Sequence, residues 1–328
     1  MKLAFDTLAL VAGVLAVQFL PGQVQAQSAY PAQNLRIIVP FGPGSGPDPL
    51  ARRLAERLVE QLGIPVVVET REGAGGQVGA QAIAAAPANG SAIGVVASPP
   101  FTSVPNFQKR PAYDPEAQFT HIARLMTTPL MIVGSNRAAF TNFAEMQDYA
   151  KKNPGKLTYA TSGSGSASFL SMETVKLAAG VNVLAVPYKS NAQQMTDTIA
   201  GIVDMNVVSL AGSLQQVRSN SVRALAVGSE KRSPTLPNVP TLAEVTGKAD
   251  LDAVVAYGVI GPRGIPEPLV TRLAAEMSKA LETPQMVQFA ESSGAVIGFQ
   301  GPAAWGNSVR KSVLNARQVI QTLNLPLE

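Results

Sequence analysis

A strand, a glycine-rich turn and an amphipathic helix open the chain and constrain its fold more than any other stretch. Residues Arg36–Phe41 are rich in β-branched side chains, as expected for a buried strand. The segment Gly42–Pro47 mixes glycine with proline and serine, which breaks regular structure. Asp48 is placed to cap the following helix, whose apolar residues recur at helical spacing as far as Leu62. Such a unit presents backbone N–H groups at a helix N-terminus, a geometry that suits an anion.

The same order of strand, turn and helix returns along the chain. Strands are predicted at Pro65–Glu69 and Ile93–Ala97, with a second glycine-rich turn from Gly73 between them. This alternation is typical of a doubly wound parallel sheet, in which ligands bind at the carboxyl ends of the strands. Ser98 lies at such an end. A further glycine-rich turn, Ser162–Ser166, follows another predicted strand and opens another helix.

These units predict an α/β protein of two doubly wound lobes with a ligand cleft between them. The expected division is residues 1–26 as a signal peptide, residues 27–128 and 229–328 as a discontinuous lobe 1, and residues 129–228 as lobe 2. The extended segments Thr127–Val133 and Val227–Ser229 would cross between the lobes and form the hinge. Residues 101–120 are rich in proline and polar residues, so we expect mostly loop there.

Residues 1–26 have the features of a secretory signal. Lys2 gives a short basic start, residues 8–20 are almost entirely apolar, and Val24–Ala26 resembles a cleavage site. We therefore expect export to the periplasm with cleavage after about Ala26. The apolar run is shorter than the roughly 20 residues that a membrane-spanning helix needs. The chain has no cysteine, which excludes disulfides and thiolate metal sites and is compatible with a bacterial periplasm.

Several other function classes lack the residues that they need. The net charge of +4 is mild and no polybasic run occurs, so nucleic acid is not an expected partner. The only histidine, His121, stands among apolar strand residues, which leaves a secreted serine hydrolase acting through Ser164 as the least supported alternative. Neither a phosphate-binding loop, a dinucleotide fingerprint nor a calcium-loop spacing occurs, and we expect no metal and no cofactor.

Two glycine-rich turns, one in each expected lobe, predict a clamp for a small carboxylate. Gly42–Asp48 and Ser162–Ser166 each offer backbone N–H groups at a helix N-terminus. The hydroxyl groups of Ser45 and of the serines in the second turn add further donors. Either turn alone could be no more than a tight turn that the topology requires, but two such turns facing each other favour a binding site.

Several motifs resemble the Bug-type receptors, the periplasmic binding proteins of tripartite tricarboxylate transporters. The matching segments are Pro40–Asp48 with Ala51–Ala55, Pro65–Glu69 with Gly73–Ala80, Tyr113–Pro115, Pro154–Ala160, Ser162–Gly165, Val186–Lys189, Arg223–Val227 and Lys231–Thr241. The resemblance implies a fold like that of type II periplasmic binding proteins, in which two lobes close on a small organic anion. It implies a monomer whose partners are the membrane permease subunits of a tripartite transporter or, alternatively, a membrane sensor protein that docks the closed form.

The resemblance also implies which residues bind the ligand. In the family, the loops that match Phe41–Pro47 and Ser162–Ser166 hold the ligand through backbone N–H groups, hydroxyls and ordered water. Ser98 and Tyr188 match positions near the cleft. The predicted ligand-binding residues are Phe41, Gly44, Ser45, Gly46, Ser98, Ser162, Gly163, Ser164, Gly165, Ser166, Tyr188, Val208 and Ser209.

The chain departs from the family pattern at several of these positions. Pro47 stands where serine or threonine is common, which removes one N–H donor and one hydroxyl. Ser164 replaces asparagine and Phe169 replaces a frequent histidine. Val208 replaces an acidic residue, and the aromatic residue common at Ala256 is missing. We therefore expect a less polar pocket and a more apolar or aromatic carboxylate as its ligand.

Overall fold

The computed structural model describes Tyr30, residues 32–43, 46–188, 190–249, Leu251 and residues 253–327. The predicted signal segment, and Gly44 and Ser45 of the first glycine-rich turn, lie outside these residues. Within the described ranges, no helix has both the length and the hydrophobicity that crossing a bilayer requires.

Strands and helices alternate along most of the chain. The strands are β1 (Leu35–Val39), β2 (Val66–Thr70), β3 (Ala92–Ala97), β4 (Phe119–Ser135), β5 (Thr158–Thr161), β6 (Leu184–Pro187), β7 (Met205–Ser209), β8 (Val222–Val227), β9 (Val254–Pro262) and β10 (Val296–Gln300). The helices are α1 (Pro47–Leu62), α2 (Gln77–Ala84), α3 (Pro99–Thr102), α4 (Phe143–Lys152), α5 (Ala167–Ala179), α6 (Asn191–Ala200), α7 (Leu210–Arg218), α8 (Leu242–Thr246), α9 (Glu267–Leu281), α10 (Pro284–Ser292) and α11 (Pro302–Thr322). Short 3-10 turns lie at Ala74–Gly76 and Val104–Phe107.

The lobe 1 sheet has the strand order β2-β1-β3-β9-β4, with β10 also paired to β4. Strands β1, β2 and β3 are parallel, as the alternating pattern predicts. Strand β9 runs antiparallel to both β3 and β4. In the pairing with β4, strand β9 starts opposite Pro129, in the middle of β4, and ends opposite Phe119, at the start of β4.

The lobe 2 sheet consists of β8, β4, β7, β5 and β6, with β4 antiparallel to both of its neighbours. Strand β4 therefore belongs to both sheets: up to Pro129 it pairs with β9, and from Leu130 it pairs with β7. At the crossing point the Gly228 N–H donates to the Leu130 carbonyl at 2.7 Å, and the Leu130 N–H donates to the Ala253 carbonyl at 2.8 Å. The predicted α/β fold with two lobes is confirmed, and the hinge role of these crossing segments stays a prediction.

Each lobe has its own hydrophobic core. The first core packs α1 and α9 on the lobe 1 sheet, with Leu54, Leu58 and Leu273 fully buried. The second core, built around Tyr159 and Met172, also contains Leu242, Ala253 and Ile320 from much later in the chain. The C-terminal end of α11 therefore packs on lobe 2, and the exact lobe boundaries in the sequence stay a prediction.

The start of α1 differs from the prediction that Asp48 caps it. The N-cap is Gly46, and Asp48 lies inside the first turn of the helix. The helix begins earlier because Pro47 already has the backbone angle that the first helical position requires. The Asp48 carboxylate is buried and forms an ion pair of 3.0 Å with the Arg52 guanidinium one turn later.

The segment predicted to be mostly loop contains ordered helical turns. Proline stands at the first position of α3 and at the second position of the Val104–Phe107 turn, where it favours a helical turn over an irregular loop. Phe101 and Phe107 are buried, and the Phe107 ring packs edge-on against Phe169 of α5 at 5.6 Å between centroids. The segment therefore joins lobe 1 to lobe 2 at one side of the cleft.

Candidate functional site

A cavity of about 580 Å³ lies where the first glycine-rich turn, the segment after β3 and the start of α5 meet. Its volume is typical of a pocket for a small organic ligand. The lining residues are Phe41, Gly46, Pro47, Ala74, Gln77, Ala97, Pro99, Pro100, Val104, Phe107, Gln108, Ser162, Ser164, Ser166, Ala167 and Tyr257. The structure thus brings both predicted turns to one cavity.

On the lobe 2 side, the turn Ser162–Ser166 leads into α5. Gly163 and Gly165 have φ of 98° and 76°, which favours glycine at both positions. The Ser166 hydroxyl accepts from the Phe169 N–H at 3.2 Å and donates to the Gly163 carbonyl at 2.7 Å, so it caps the helix. The N–H groups of the first helical turn have no partners within the helix, and with the helix dipole they favour a carboxylate here.

The three serine hydroxyls of this turn are not equally available to a ligand. Ser166 is engaged in the cap, and Ser162 accepts from the Gln194 amide at 3.1 Å and donates to Asn191 at 3.3 Å. The Ser164 hydroxyl makes no hydrogen bond with any described residue, and its side chain is exposed toward the cavity that it lines. Of the three, Ser164 therefore has the only hydroxyl without a hydrogen-bond partner among the described residues.

On the lobe 1 side, the first turn of α1 offers few donors. Of its first three helical positions, Pro47 and Pro49 have no N–H group, which leaves only that of Asp48. At the start of α2, the Gln77 N–H is already bonded to the Ala74 carbonyl. Among the described residues, the first turn of α5 therefore has more unbonded backbone donors than the first turn of α1, and the two predicted halves of the clamp are not equivalent.

Tyr257 on β9 lines the cavity beside Gly46 and was missed by sequence reasoning. Burial raises the pKa of its hydroxyl above the usual value, so the group is protonated at neutral pH and can donate a hydrogen bond. The sequence showed that an aromatic residue is absent at Ala256. Tyr257, the next residue in the sequence, was the signal that could have indicated an aromatic side chain at the site. Its position next to α1, however, depends on the antiparallel pairing of β9 with β3.

Six of the described predicted site residues do not line this cavity, and their ligand-binding roles stay predictions. The Ser98 hydroxyl accepts from the Ala256 N–H at 3.1 Å and so joins β3 to β9. The Tyr188 hydroxyl donates to the Asp197 carboxylate at 2.9 Å. Val208 packs against the hydrophobic cluster under β4, and Ser209 caps α7 by accepting from the Gly212 N–H. The two turn glycines shape the loop rather than line the cavity, and Gly44 and Ser45 lie outside the described residues.

The electrostatic character of the site is neutral. None of the described lining residues carries a charged side chain, and the described part of the chain has no cluster of acidic or histidine residues able to hold a metal ion. His121 lies elsewhere, with its ring edge-on to Trp305 at 6.3 Å between centroids. Burial, aided by the nearby Arg310 charge, lowers the pKa of His121 to about 4. Ser164 therefore has no histidine base among the lining residues.

A family model described as the tripartite tricarboxylate transporter family receptor matches residues 50–325. The chain belongs to this family. A curated member from Pseudomonas sp. (strain P51), the UPF0065 protein in the tcbD-tcbE intergenic region, is 33% identical over 87% of this chain and 84% of its own length.

Solved structures agree with the assignment to the tripartite tricarboxylate transporter receptors. The periplasmic binding protein BugD is 32% identical, with a TM-score of 0.72 over 90% of this chain and 99% of its own. Rpa4515 from R. palustris, solved with adipate, is 29% identical, with a TM-score of 0.74 over 90% of this chain and 98% of its own. The resemblance read from the motifs is confirmed: this is a Bug-type receptor of a periplasmic, non-enzymatic family.

Proposed function

We propose that this receptor binds a small organic carboxylate in the cavity between its lobes and delivers it to a tripartite tricarboxylate transporter. The observation that carries the proposal is the N-terminus of α5, which Ser166 caps and which lies beside the unbonded Ser164 hydroxyl, in a cavity without charged residues among its described lining. A carboxylate held there is stabilised by N–H groups and by the helix dipole rather than by a counterion.

The ligand body is apolar or aromatic in this proposal. Much of the cavity wall consists of apolar side chains, among them Phe41, Pro100 and Phe107. Such a wall favours burial of a ring or an alkyl chain, at about 25 cal/mol per Å² of apolar surface. The relative solved with adipate supports a carboxylate as the anchoring group.

Titration calorimetry on refolded, ligand-free protein tests the binding. The panel contains benzoate, nicotinate and phthalate on one side, and adipate, citrate and aspartate on the other. We expect the tightest binding among the aromatic acids. Binding of citrate or aspartate alone would overturn the apolar ligand class, and binding of no organic acid would overturn the receptor proposal.

The same titrations with Ser164→Ala identify the site. We expect about tenfold weaker binding, because one hydrogen bond to a charged group is lost. The matched control is Ser312→Ala, an exposed serine on α11 that donates to the Ser308 carbonyl. Equal affinities for the two variants would place the ligand elsewhere.

Delivery to a permease and export are tested in cells. We expect a deletion strain to lose uptake of the ligand found by calorimetry and to regain it with the cloned gene. Unchanged uptake would contradict the transport role and favour the sensor alternative. The proposed export predicts a mature protein that begins at Gln27, which mass spectrometry of the periplasmic fraction checks.

A further inference from the structure

The side-chain amide of Gln108 belongs to the cavity lining and is not used by the fold. Gln108 directly follows the short 3-10 turn Val104–Phe107, and its side chain is half-buried. Its backbone N–H donates to the Pro105 carbonyl at 3.3 Å. Its side-chain amide, by contrast, forms no hydrogen bond with any residue that the structure describes. An amide that is partly removed from water and has no protein partner is available to a ligand in the cavity.

The contacts of the preceding residues place Gln108 at the turn Ser162–Ser166, here called the serine turn. A Cβ on Gly165 of this turn would lie 3.4 Å from the backbone of the 3-10 turn and 3.5 Å from the Phe107 ring. The Phe107 ring also packs edge-on against Phe169, the third residue of α5, and both rings belong to the second core. Gln108 therefore comes directly after a residue that contacts both the serine turn and the start of α5.

A carboxylate at the start of α5 needs donors besides those of the helix. The N–H groups of Ala167 and Ser168, the first two helical positions, donate to no described residue, and the Ser164 hydroxyl is also unbonded. The two oxygens of a carboxylate offer about four lone-pair sites, and a site that stays without a donor away from water costs free energy. No described lining residue carries a charge that could supply the missing contact. A neutral N–H donor on the wall beside the serine turn is therefore favourable, and the Gln108 amide is such a donor.

We infer that the Gln108 side-chain amide donates a hydrogen bond to the ligand carboxylate at the start of α5. The inference rests on the proposed function, since it takes the carboxylate to be held there beside Ser164. The carboxylate is then bound from two directions, by the helix N-terminus and by the segment that follows β3. Because Gln108 contacts the group that all the candidate ligands share, its contribution to affinity does not depend on the ligand body.

Calorimetry with benzoate, nicotinate and adipate on Gln108→Leu and Gln108→Glu tests this contact. Leucine removes the donor, so each acid that the wild type binds should bind about tenfold more weakly. Glutamate has almost the shape of glutamine but places a negative charge beside the carboxylate, so binding should fall by about a hundredfold or more. In each variant the loss should agree within about twofold among the acids, because the contact and the ligand body act independently.

Gln108→Lys tests the same contact by a gain of affinity, which a damaged fold cannot produce. An ammonium group beside the carboxylate should tighten binding about tenfold at low ionic strength, and the gain should shrink as salt is added. The matched controls are Gln81→Leu, Gln81→Glu and Gln81→Lys, at an exposed position of α2 away from the cavity lining. We expect these controls to bind within about twofold of the wild type.

Three results would overturn the inference while the receptor function stands. One is wild-type affinity in both Gln108→Leu and Gln108→Glu. A second is a loss confined to the aromatic acids or to adipate, which would place Gln108 at the ligand body. The third is the absence of any gain in Gln108→Lys at low ionic strength. Where the wild type binds only phthalate, citrate or aspartate, that acid is the probe. Binding of no organic acid by the wild type would remove both the inference and the proposed function.

Discussion

The Ser103 hydroxyl donates a hydrogen bond of 2.8 Å to the Gly165 carbonyl. Ser103 immediately follows α3 of lobe 1, whereas Gly165 belongs to the serine turn of lobe 2. Both residues are buried. This bond ties the segment after β3 to the loop that precedes α5, and so it fixes the position of that loop relative to the wall that contains Phe107.

We expect Ser103→Ala to weaken both stability and ligand binding. The buried Gly165 carbonyl would lose its donor, which costs about 1–3 kcal/mol of unfolding free energy. The looser turn would hold the carboxylate less well. Urea unfolding and calorimetry measure the two effects. Ser292→Ala removes an exposed hydroxyl from α10 and serves as the control. Unchanged affinity in Ser103→Ala would show that the turn keeps its conformation without this bond.

Ser166→Asp should separate helix capping from ligand binding. Aspartate can accept from the Phe169 N–H as serine does, but it cannot donate to the Gly163 carbonyl, so we expect a loss of about 1–3 kcal/mol of unfolding free energy. Its negative charge would repel a carboxylate at the start of α5, and binding should fall by about a hundredfold or more. Thermal unfolding and calorimetry check both outcomes.

The control for this charge change is Asn142→Asp. Asn142 caps α4 by accepting from the Glu145 N–H at 3.0 Å, and it does not line the cavity. This variant should bind the ligand as the wild type does. If Ser166→Asp also bound normally, the carboxylate could not lie at the N-terminus of α5.

Gly46→Ala should weaken binding by displacing Tyr257. A Cβ at position 46 would overlap the Tyr257 hydroxyl, although the helical backbone angles of Gly46 suit alanine. We expect about tenfold weaker binding in the single variant, as the tyrosine is pushed into the ligand space. The double variant Gly46→Ala/Tyr257→Phe should recover part of the loss, because phenylalanine lacks the overlapping oxygen.

Calorimetry on both variants and on Tyr257→Phe completes this double-mutant cycle. Gly301→Ala is the matched control, since a Cβ there would have no atom within 4 Å. Strictly additive effects of the two substitutions would contradict a direct contact between positions 46 and 257.

His121 should make the protein less stable as the pH falls. Burial lowers its pKa to about 4 in the folded protein, against 6.5 for an exposed histidine, so between these pH values the unfolded chain is protonated and the folded chain is not. The free energy of unfolding therefore falls by about 2 kcal/mol between pH 7 and pH 5. Above the pKa of the histidine in the unfolded chain, this loss is absent.

The substitution His121→Gln should remove this part of the pH dependence. Urea unfolding of both proteins at pH 7 and pH 5 measures it. If the wild type and His121→Gln lost the same unfolding free energy between pH 7 and pH 5, His121 would be accessible to protons in the folded state. Ligand affinity at pH 7 should be unaffected, because His121 does not line the cavity.

Local signals in the sequence predicted much of the fold. Gly63 has a positive φ and ends α1 directly after Leu62, where the helical spacing of apolar residues stops. The apolar stripe Leu50, Leu54 and Leu58 is fully buried, as its spacing predicts. These features depend on a few neighbouring residues, and that is why a single sequence reveals them.

The cavity could be predicted only in part, because it joins residues that are far apart in the chain. The two turns carry their own glycine and serine signals, and the cavity includes both. Tyr257, Gln77 and Gln108 carry no comparable signal. Tyr257 reaches the cavity only through the pairing of β9 with β3, and Gln108 through the packing of Phe107 on Phe169. A single proline, Pro47, moved the start of α1 and turned the predicted Asp48 cap into an internal ion pair.

Ile320, near the end of the chain, packs in the second core with residues from much earlier in the sequence. A polypeptide is made from its N-terminus onward, and the contacts that complete this core join residues separated by more than half of the sequence. The core of lobe 2 therefore includes a residue of α11, just as the core of lobe 1 includes residues of α9. Because both cores are completed by residues from the last third of the sequence, we expect each lobe to reach its final packing only after nearly the whole chain has been synthesised.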